Sequence, residues 1–314
     1  MSTSTLTAEG THRDAFTGND WALLAGTGLI WGASFLFIAK CLEAFAPGLV
    51  TFARICLGCI ALGLVPSSMT AIPRTAWPRI VAVSITWLAF PMTLFPIAQQ
   101  HISSSLAGML NGAIPIFAAI VASVLLRRLP GPWQLAGLAV GLLGIVLIGI
   151  SNIGESSSSA FGVILIIVAV ASYGVALNLC VPLTQQYGAV PVFWRCQLVS
   201  VVLTAPLGLV GLTKSRWNGG SFLALLALGV FGTGLAFVMM TVLAARVGST
   251  RASVLTYAEA VVALVLGVLI RHDSVRALEV GGCAVILWGA WLAGRADRPL
   301  ERQPTECGAE HGQR

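Results

Sequence analysis

The chain is a succession of continuously apolar runs of about twenty residues with almost no charge inside them. Wound into a helix, such a run matches the ~30 Å hydrocarbon thickness of a bilayer. Only 10% of the 314 residues are charged. A soluble domain carries roughly 25%, so this chain cannot cover a water-facing surface. Because the runs are continuous and not alternating, they read as helices and not as the strands of a barrel. Ten spans are expected: Trp21–Cys41, Pro47–Val65, Ile80–Ala98, Ser103–Leu126, Pro132–Ile150, Phe161–Leu183, Pro191–Leu212, Phe222–Ala245, Ala252–Ile270 and Ala277–Ala293. They use about 200 residues and leave no length for a soluble catalytic domain. The fold class expected is an all-α polytopic membrane protein. Its parts are a polar tail (1–20), a first five-helix unit (21–150), a connecting loop (151–160), a second unit (161–293) and a second tail (294–314).

The net charge of +6 follows from arginines in connectors and tails and does not indicate a nucleic-acid surface. With the N-terminus inside, Arg74, Arg79, Arg127, Arg128, Arg246 and Arg251 lie on cytoplasmic connectors, and Arg13, Arg295, Arg298, Arg302 and Arg314 on the tails. The positive-inside rule therefore favours a cell-membrane protein with both termini cytoplasmic. The first apolar run is too long for a signal-peptide core and lacks an A-x-A cleavage site, so it reads as a retained span. Seven cysteines, an odd number, do not make a disulfide framework, and Cys56 and Cys59 lack a second pair at zinc spacing. No metal or cofactor is expected. There is no G-x-x-x-x-G-K-[ST] loop for an ATP-driven pump, and no paired-carboxylate or nucleophile constellation for an intramembrane enzyme.

The two halves resemble each other. Trp31-Gly32 falls opposite Tyr173-Gly174, Pro47 opposite Pro191, Ser104-Ser105 opposite Ser249-Thr250, and Gly137 opposite Gly282, at a nearly constant offset. Five spans per half is an odd number, so the second copy must enter the membrane in the opposite sense. That arrangement is the inverted repeat of many transporters.

Within this frame Trp31-Gly32-Ala33-Ser34-Phe35, followed by Lys40, Pro47 and Arg54, resembles the opening of an EamA-type repeat of the drug/metabolite transporter superfamily. Pro115, Leu125–Leu129 and Gly137 in the first half, and Tyr257-Ala258-Glu259-Ala260 with Gly281-Gly282 in the second, resemble its close. The resemblance covers Trp21 to Ala293 and implies ten helices in two inverted five-helix repeats that carry metabolites by alternating access. Such repeats usually hold a glutamate after the fourth helix; here Arg127-Arg128 and Arg271-His272-Asp273 stand there. Ala260 replaces the usual proline. The expected function is secondary transport, as an exporter on family analogy, of a small polar metabolite such as an amino acid. The alternative is a lipid flippase or transbilayer lipid carrier.

Candidate substrate- or proton-binding residues are the polar ones inside the spans: Glu259, Arg54, Trp31, Asn111, Tyr257, Tyr173 and Asn178. An acid at the middle of a span costs about 2.5–3.5 kcal/mol on insertion scales, so Glu259 either binds a cation or exchanges a proton, or it pairs with a nearby arginine. Arg54 and Arg195 lie early in their spans and suit an anionic substrate or an interfacial ion pair. Lys40 reads as an anchor, and Gln99 to Ser105 as a polar loop. Asn178 is equally an interhelical hydrogen bonder. Gly28, Gly32, Gly137, Gly141 and Gly144 make small faces for packing within the chain, a homodimer being the less favoured use. Pro91, Pro96 and Pro115 are expected to kink their helices. The partners expected are a small-molecule metabolite, with or without protons, and the bilayer.

Overall fold

In a computed structural model of the chain, the described residues are 17–126, 132–151, 157–247, 252 and 255–293. Arg127, Arg128, Ser249, Thr250, Arg251 and the tail arginines lie outside them, as does half of the expected connecting loop, residues 152–156; Ser151 and residues 157–160, also expected in that loop, are helical. Every regular element among the described residues is a helix: α1 (Gly18–Leu42), α2 (Pro47–Gly63), α3 (Arg74–Ala98), α4 (Ser104–Asn111), α5 (Ile114–Leu126), α6 (Pro132–Ser151), α7 (Ser157–Tyr187), α8 (Ala189–Leu212), α9 (Gly219–Val247), α10 (Leu255–Arg271) and α11 (Ala277–Ala293). Among the described residues six helices are long and apolar enough to cross a membrane, while Pro47–Gly63, Leu135–Ile148 and Ala277–Gly289 are shorter apolar helices. Large apolar side chains such as Leu29, Ile60, Val202, Leu209 and Leu269 are exposed on the outside of the bundle. In water that surface would drive association; in lipid it is solvated.

The helix starts follow from local chemistry. Thr17 caps α1: its hydroxyl accepts from the Asp20 backbone N–H at 3.3 Å, and the Asp20 carboxylate accepts from the Thr17 N–H at 2.9 Å, a reciprocal capping box. Asp20 thus belongs to the helix and not to the polar tail, and it also takes the Arg246 guanidinium at 2.7 Å, tying the start of α1 to the end of α9. Pro47 opens α2, where its missing N–H has no helical partner to lose. Ser103 caps α4 through the Leu106 N–H at 3.2 Å.

Three crossings are irregular. Residues Ser84–Ala89 of α3 and Leu228–Leu235 of α9 are π-helical, wide turns that are rare and concentrate at functional sites. Pro91, which has no N–H to give the Trp87 carbonyl, follows the first of them. Side chains of other helices bond carbonyls in both: Ser172 donates to Thr86 at 2.7 Å and Ser200 to Ser84 at 3.2 Å. In α9, Trp31 donates to the Gly232 carbonyl at 2.9 Å and Gln197 to Thr233 at 2.6 Å. The third irregularity is the break between α4 and α5. There Gly112 and Ala113 bond carbonyls only three residues back, and Pro115 supplies no N–H to Asn111. The kink expected at Pro115 is therefore a full interruption.

Packing joins the halves. α1 lies on α10 and α9, while α7 lies on α5 and α3; α2 packs on α8, and α6 on α11. Gly141 meets Gly289, and a Cβ on Gly144 would lie 2.7 Å from the Gly282 carbonyl, so the small face of α6 is used inside the chain. On α1, a Cβ on Gly32 would lie 2.9 Å from the Glu259 carbonyl. The missing side chain lets α1 approach the backbone that carries the buried acid.

Candidate functional site

At the centre of the bundle is a cavity of about 50 Å³ lined by α1, α2, α3, α4, α5, α7, α9 and α10. It has room for a few waters, whereas solute sites run to roughly 300–1,000 Å³. The helices are thus drawn in around it.

Glu259 lines this cavity from α10 and is 3% exposed. Its Oε1 accepts from Asn111 Nδ2 at 2.7 Å. Asn111 is the last residue of α4, so the chain break points its amide across to the other half of the molecule. The second carboxylate oxygen, Oε2, and Asn111 Oδ1 are both buried without a hydrogen-bond partner. Buried polar atoms are normally paired, so these two open acceptors on bonded side chains suit a donor from outside the chain.

Arg54 lines the cavity from α2 and is 4% exposed. Its Nε donates to Thr233 Oγ1 at 3.0 Å, and that hydroxyl donates on to the Leu228 carbonyl at 3.1 Å inside the wide turn of α9. Among the described residues this is the one hydrogen bond the guanidinium makes, and no ion pair joins it to Glu259. An acidic and a basic side chain therefore line one apolar cavity, each held by a neutral partner and not by the other.

Aromatic rings make the walls. Trp31 meets Phe237 edge-on at 5.0 Å between centroids, and Phe237 meets Trp87 at 5.7 Å. Phe95 stacks on Tyr173 at 5.8 Å and meets Phe35 edge-on at 5.7 Å. Of the expected residues, Glu259, Arg54, Trp31, Asn111 and Tyr173 converge here. Asn178 and Tyr257 do not line the cavity. The Asn178 amide donates to the Ala118 and Gly174 carbonyls at 3.1 and 2.9 Å, fastening α7 to α5. Tyr257 is two residues from Glu259 and so lies on a different face of α10. Phe35, Trp87, Met92, Phe95, Phe237 and Met240, which complete the walls, were not singled out as site residues, because apolar residues carry no signal within apolar spans.

Other polar residues that the sequence singles out lie outside the cavity. Arg195 donates to the Ser68, Thr70 and Pro191 carbonyls and sits 5.6 Å from the Trp194 ring centroid, which makes it an interfacial anchor. Lys40 pairs with Glu43 at 2.6 Å. Ser104 and Ser105 are not loop residues but buried members of α4. Both donate to the Asp273 carboxylate, at 2.8 and 2.9 Å, and the Ser105 backbone N–H adds a third bond at 3.1 Å. His101 packs edge-on against Phe161. Among the described residues no cluster of three or more His, Cys, Asp or Glu side chains is placed to hold a metal.

Two stretches, residues 20–150 and 160–295, match the model of the EamA-like transporter family. The chain belongs to this family. It is a multi-pass membrane transporter. An uncharacterized transporter of Archaeoglobus fulgidus is 21% identical over 88% of this chain and 98% of its own length. An uncharacterized transporter of Bacillus subtilis, YdfC, is 24% identical over 83% and 86%. An S-adenosylmethionine/S-adenosylhomocysteine transporter of Chlamydia trachomatis is 33% identical over a shorter stretch, 38% of this chain and 37% of that protein. A solved crystal structure with 21% identity superposes with a TM-score of 0.60 over 87% of this chain and 97% of the other, a likeness of fold.

Proposed function

We propose that this EamA-family protein is a secondary exporter of a small polar metabolite, an amino acid or a related compound, working by alternating access around the central cavity. The observation that carries this reading is an acidic and a basic side chain, Glu259 and Arg54, buried in one cavity and not paired with each other. A solute with an ammonium group and a carboxylate satisfies both, the ammonium at Glu259 Oε2 and Asn111 Oδ1, the carboxylate at Arg54. The aromatic walls accept an apolar body and add cation–π attraction. The family relative that carries S-adenosylmethionine, itself a small polar metabolite, supports the solute class. Ten crossings arise when the interrupted pair α4 and α5 is taken as one. The wide turns of α3 and α9, which begin at Ser84 and Leu228, sit at corresponding places of the two matched stretches. That correspondence supports an inverted repeat over 21–150 and 161–293. The arginine distribution supports a cell-membrane location with both termini cytoplasmic. Glu259 also serves proton exchange, taking a proton when the ammonium leaves.

The test is transport in proteoliposomes loaded with a metabolite extract, with and without an imposed pH gradient. It is followed by a matched series of an amino acid, its decarboxylated amine and its deaminated acid. Net movement of the amino acid, with both single-charge analogues at least tenfold poorer, is expected, since a charged hydrogen bond contributes about 1.5–3 kcal/mol. Equal transport of a single-charge analogue removes the two-ended recognition, and lipid movement without solute movement removes the exporter reading.

A further inference from the structure

The contact of Asp273 with the start of α4 lies outside the cavity, yet its carboxylate accepts three hydrogen bonds there. Its position is built by the backbone. α10 ends at Arg271; His272 then takes φ 56°, and the Asp273 N–H returns to the Gly267 carbonyl at 3.1 Å. A histidine thus ends the helix in the left-handed conformation that glycine usually fills. The turn brings Asp273 back over the last turn of α10. Its Oδ2 there collects the two serine hydroxyls and the Ser105 N–H. Gly267 makes the fit: a Cβ there would collide with the Ser105 hydroxyl and lie 2.7 Å from Asp273 Oδ2.

The same two helices meet again further down. Gly108 of α4 packs on Ala263 of α10, Gly112 on Ala260, and at the cavity Asn111 bonds Glu259. The α4–α10 seam thus runs from the cavity to the membrane face that carries residues 272–276. It is narrow throughout because small residues face each other. Arg271 extends the contact to α1 through Glu43 at 3.4 Å, beside the Lys40–Glu43 pair. Among the described residues, three hydrogen bonds across the outer end of the seam converge on the single side chain of Asp273. A gate requires an element with two discrete arrangements, and a seam of small apolar contacts closed at one end by a polar cluster is of the kind that can be made or released as a unit.

We infer that the bonds from Ser104 and Ser105 to Asp273 form a latch that holds the cavity shut toward the membrane face on which they lie, and that their release opens the cavity to that face. The inference rests on the alternating-access reading but not on the solute. Its test needs no substrate, so its failure leaves the solute reading standing, and the reverse also holds. Ser34 lines the cavity and is 5% exposed, and Ser34→Cys changes one atom. In a full-length chain whose own seven cysteines are replaced, a membrane-impermeant maleimide reports on this cysteine from each side, in right-side-out and in inverted vesicles. With Asp273→Ala, labelling from the 272–276 side accelerates at least about fivefold, the scale of one lost charged hydrogen bond partly replaced by water, while labelling from the other side is unchanged or slower. Ser104→Ala/Ser105→Ala does the same. An unchanged rate, or an equal rise from both faces, which general loosening would produce, overturns the latch. Hydrogen exchange on the chain carrying only Asp273→Ala gives a second reading. Acceleration confined to Ser104–Asn111 and the outer end of α10 supports the latch; acceleration spread over all helices overturns it.

Discussion

The hydrogen bond between Asn111 and Glu259 can be tested by removing its partners separately and together. The carboxylate is 3% exposed and has a single protein donor, at 2.7 Å, and its other oxygen is already open. Asn111→Ala leaves a buried carboxylate with no donor. The loss is about 1.5–3 kcal/mol for a hydrogen bond to a charged group, plus a small cavity term. Glu259→Ala leaves the Asn111 amide with neither of its ends bonded, at about 1–3 kcal/mol for stranded polar atoms, but it also removes the cost of keeping an acid in the bilayer. In the double variant both costs vanish and the cavity terms add. The coupling energy of the cycle is therefore expected near 2 kcal/mol, well above the roughly 0.3–0.5 kcal/mol scatter of independent sites. The assay is reversible unfolding of the purified chain in mixed micelles, titrated with denaturing detergent, for the four members of the cycle. The double variant is expected to be more stable than Asn111→Ala alone, and inactive in transport. A coupling below 0.5 kcal/mol would refute the view that the pair crosses the cavity as a buried unit.

Three other outcomes follow from the same geometry. Glu259→Gln keeps the side-chain shape and is expected to leave membrane insertion intact while transport falls and loses its dependence on pH; uptake with an unaltered pH profile removes Glu259 from the mechanism. Arg54→Gln should lower transport at least tenfold, on the ~1.5–3 kcal/mol scale of one charged contact, whereas Arg195→Gln, which gives up carbonyl contacts and the Trp194 ring outside the cavity, should stay within about twofold; equal losses in the two proteins, measured by initial rates, would show that cavity placement does not set the effect. Gly267→Ala forces a methyl group against Ser105 and Asp273 and should destabilise the chain by about 1–3 kcal/mol, the usual range for overpacking; a detergent-unfolding midpoint unchanged from the parent would count against the close α4–α10 contact.

The positions of the helices were legible because span length and continuous apolarity are set by the bilayer, and α11 has the bounds that its sequence run suggests. Glu259 and Arg54 were legible for the converse reason: a charge inside such a run is costly and must be answered by something. Asn178 gives the same signal as Asn111, yet its NH2 group is taken by carbonyls of its own and a neighbouring helix, and it does not line the cavity. What separates the two is the break after Asn111, which turns that side chain toward the cavity. Tyr257 shares a motif with Glu259 but not a helix face, since residues two apart on a helix diverge by about 200°. The Asp273 latch was not legible, because Ser104 and Asp273 stand 169 residues apart and each looks like ordinary loop chemistry alone. The wide turns of α3 and α9 have no apolar signature either; Pro91 after the first and the glycines within the second are their only trace.

Those two wide turns have a consequence for the angular phase of the crossings. A π turn holds one more residue than an α turn, so everything beyond it is rotated by about 100° relative to an uninterrupted helix. In α3 the residues beyond the turn include Met92 and Phe95, and in α9 they include Phe237 and Met240; all four face the cavity. Deleting a single residue within Ser84–Ala89 or Leu228–Leu235 would restore a regular helix of the same apolarity. It would swing these side chains out toward lipid and bring others in. The chamber is thus written in the count of residues per turn as well as in their identity, and two chains of this kind with near-identical composition can enclose different chambers.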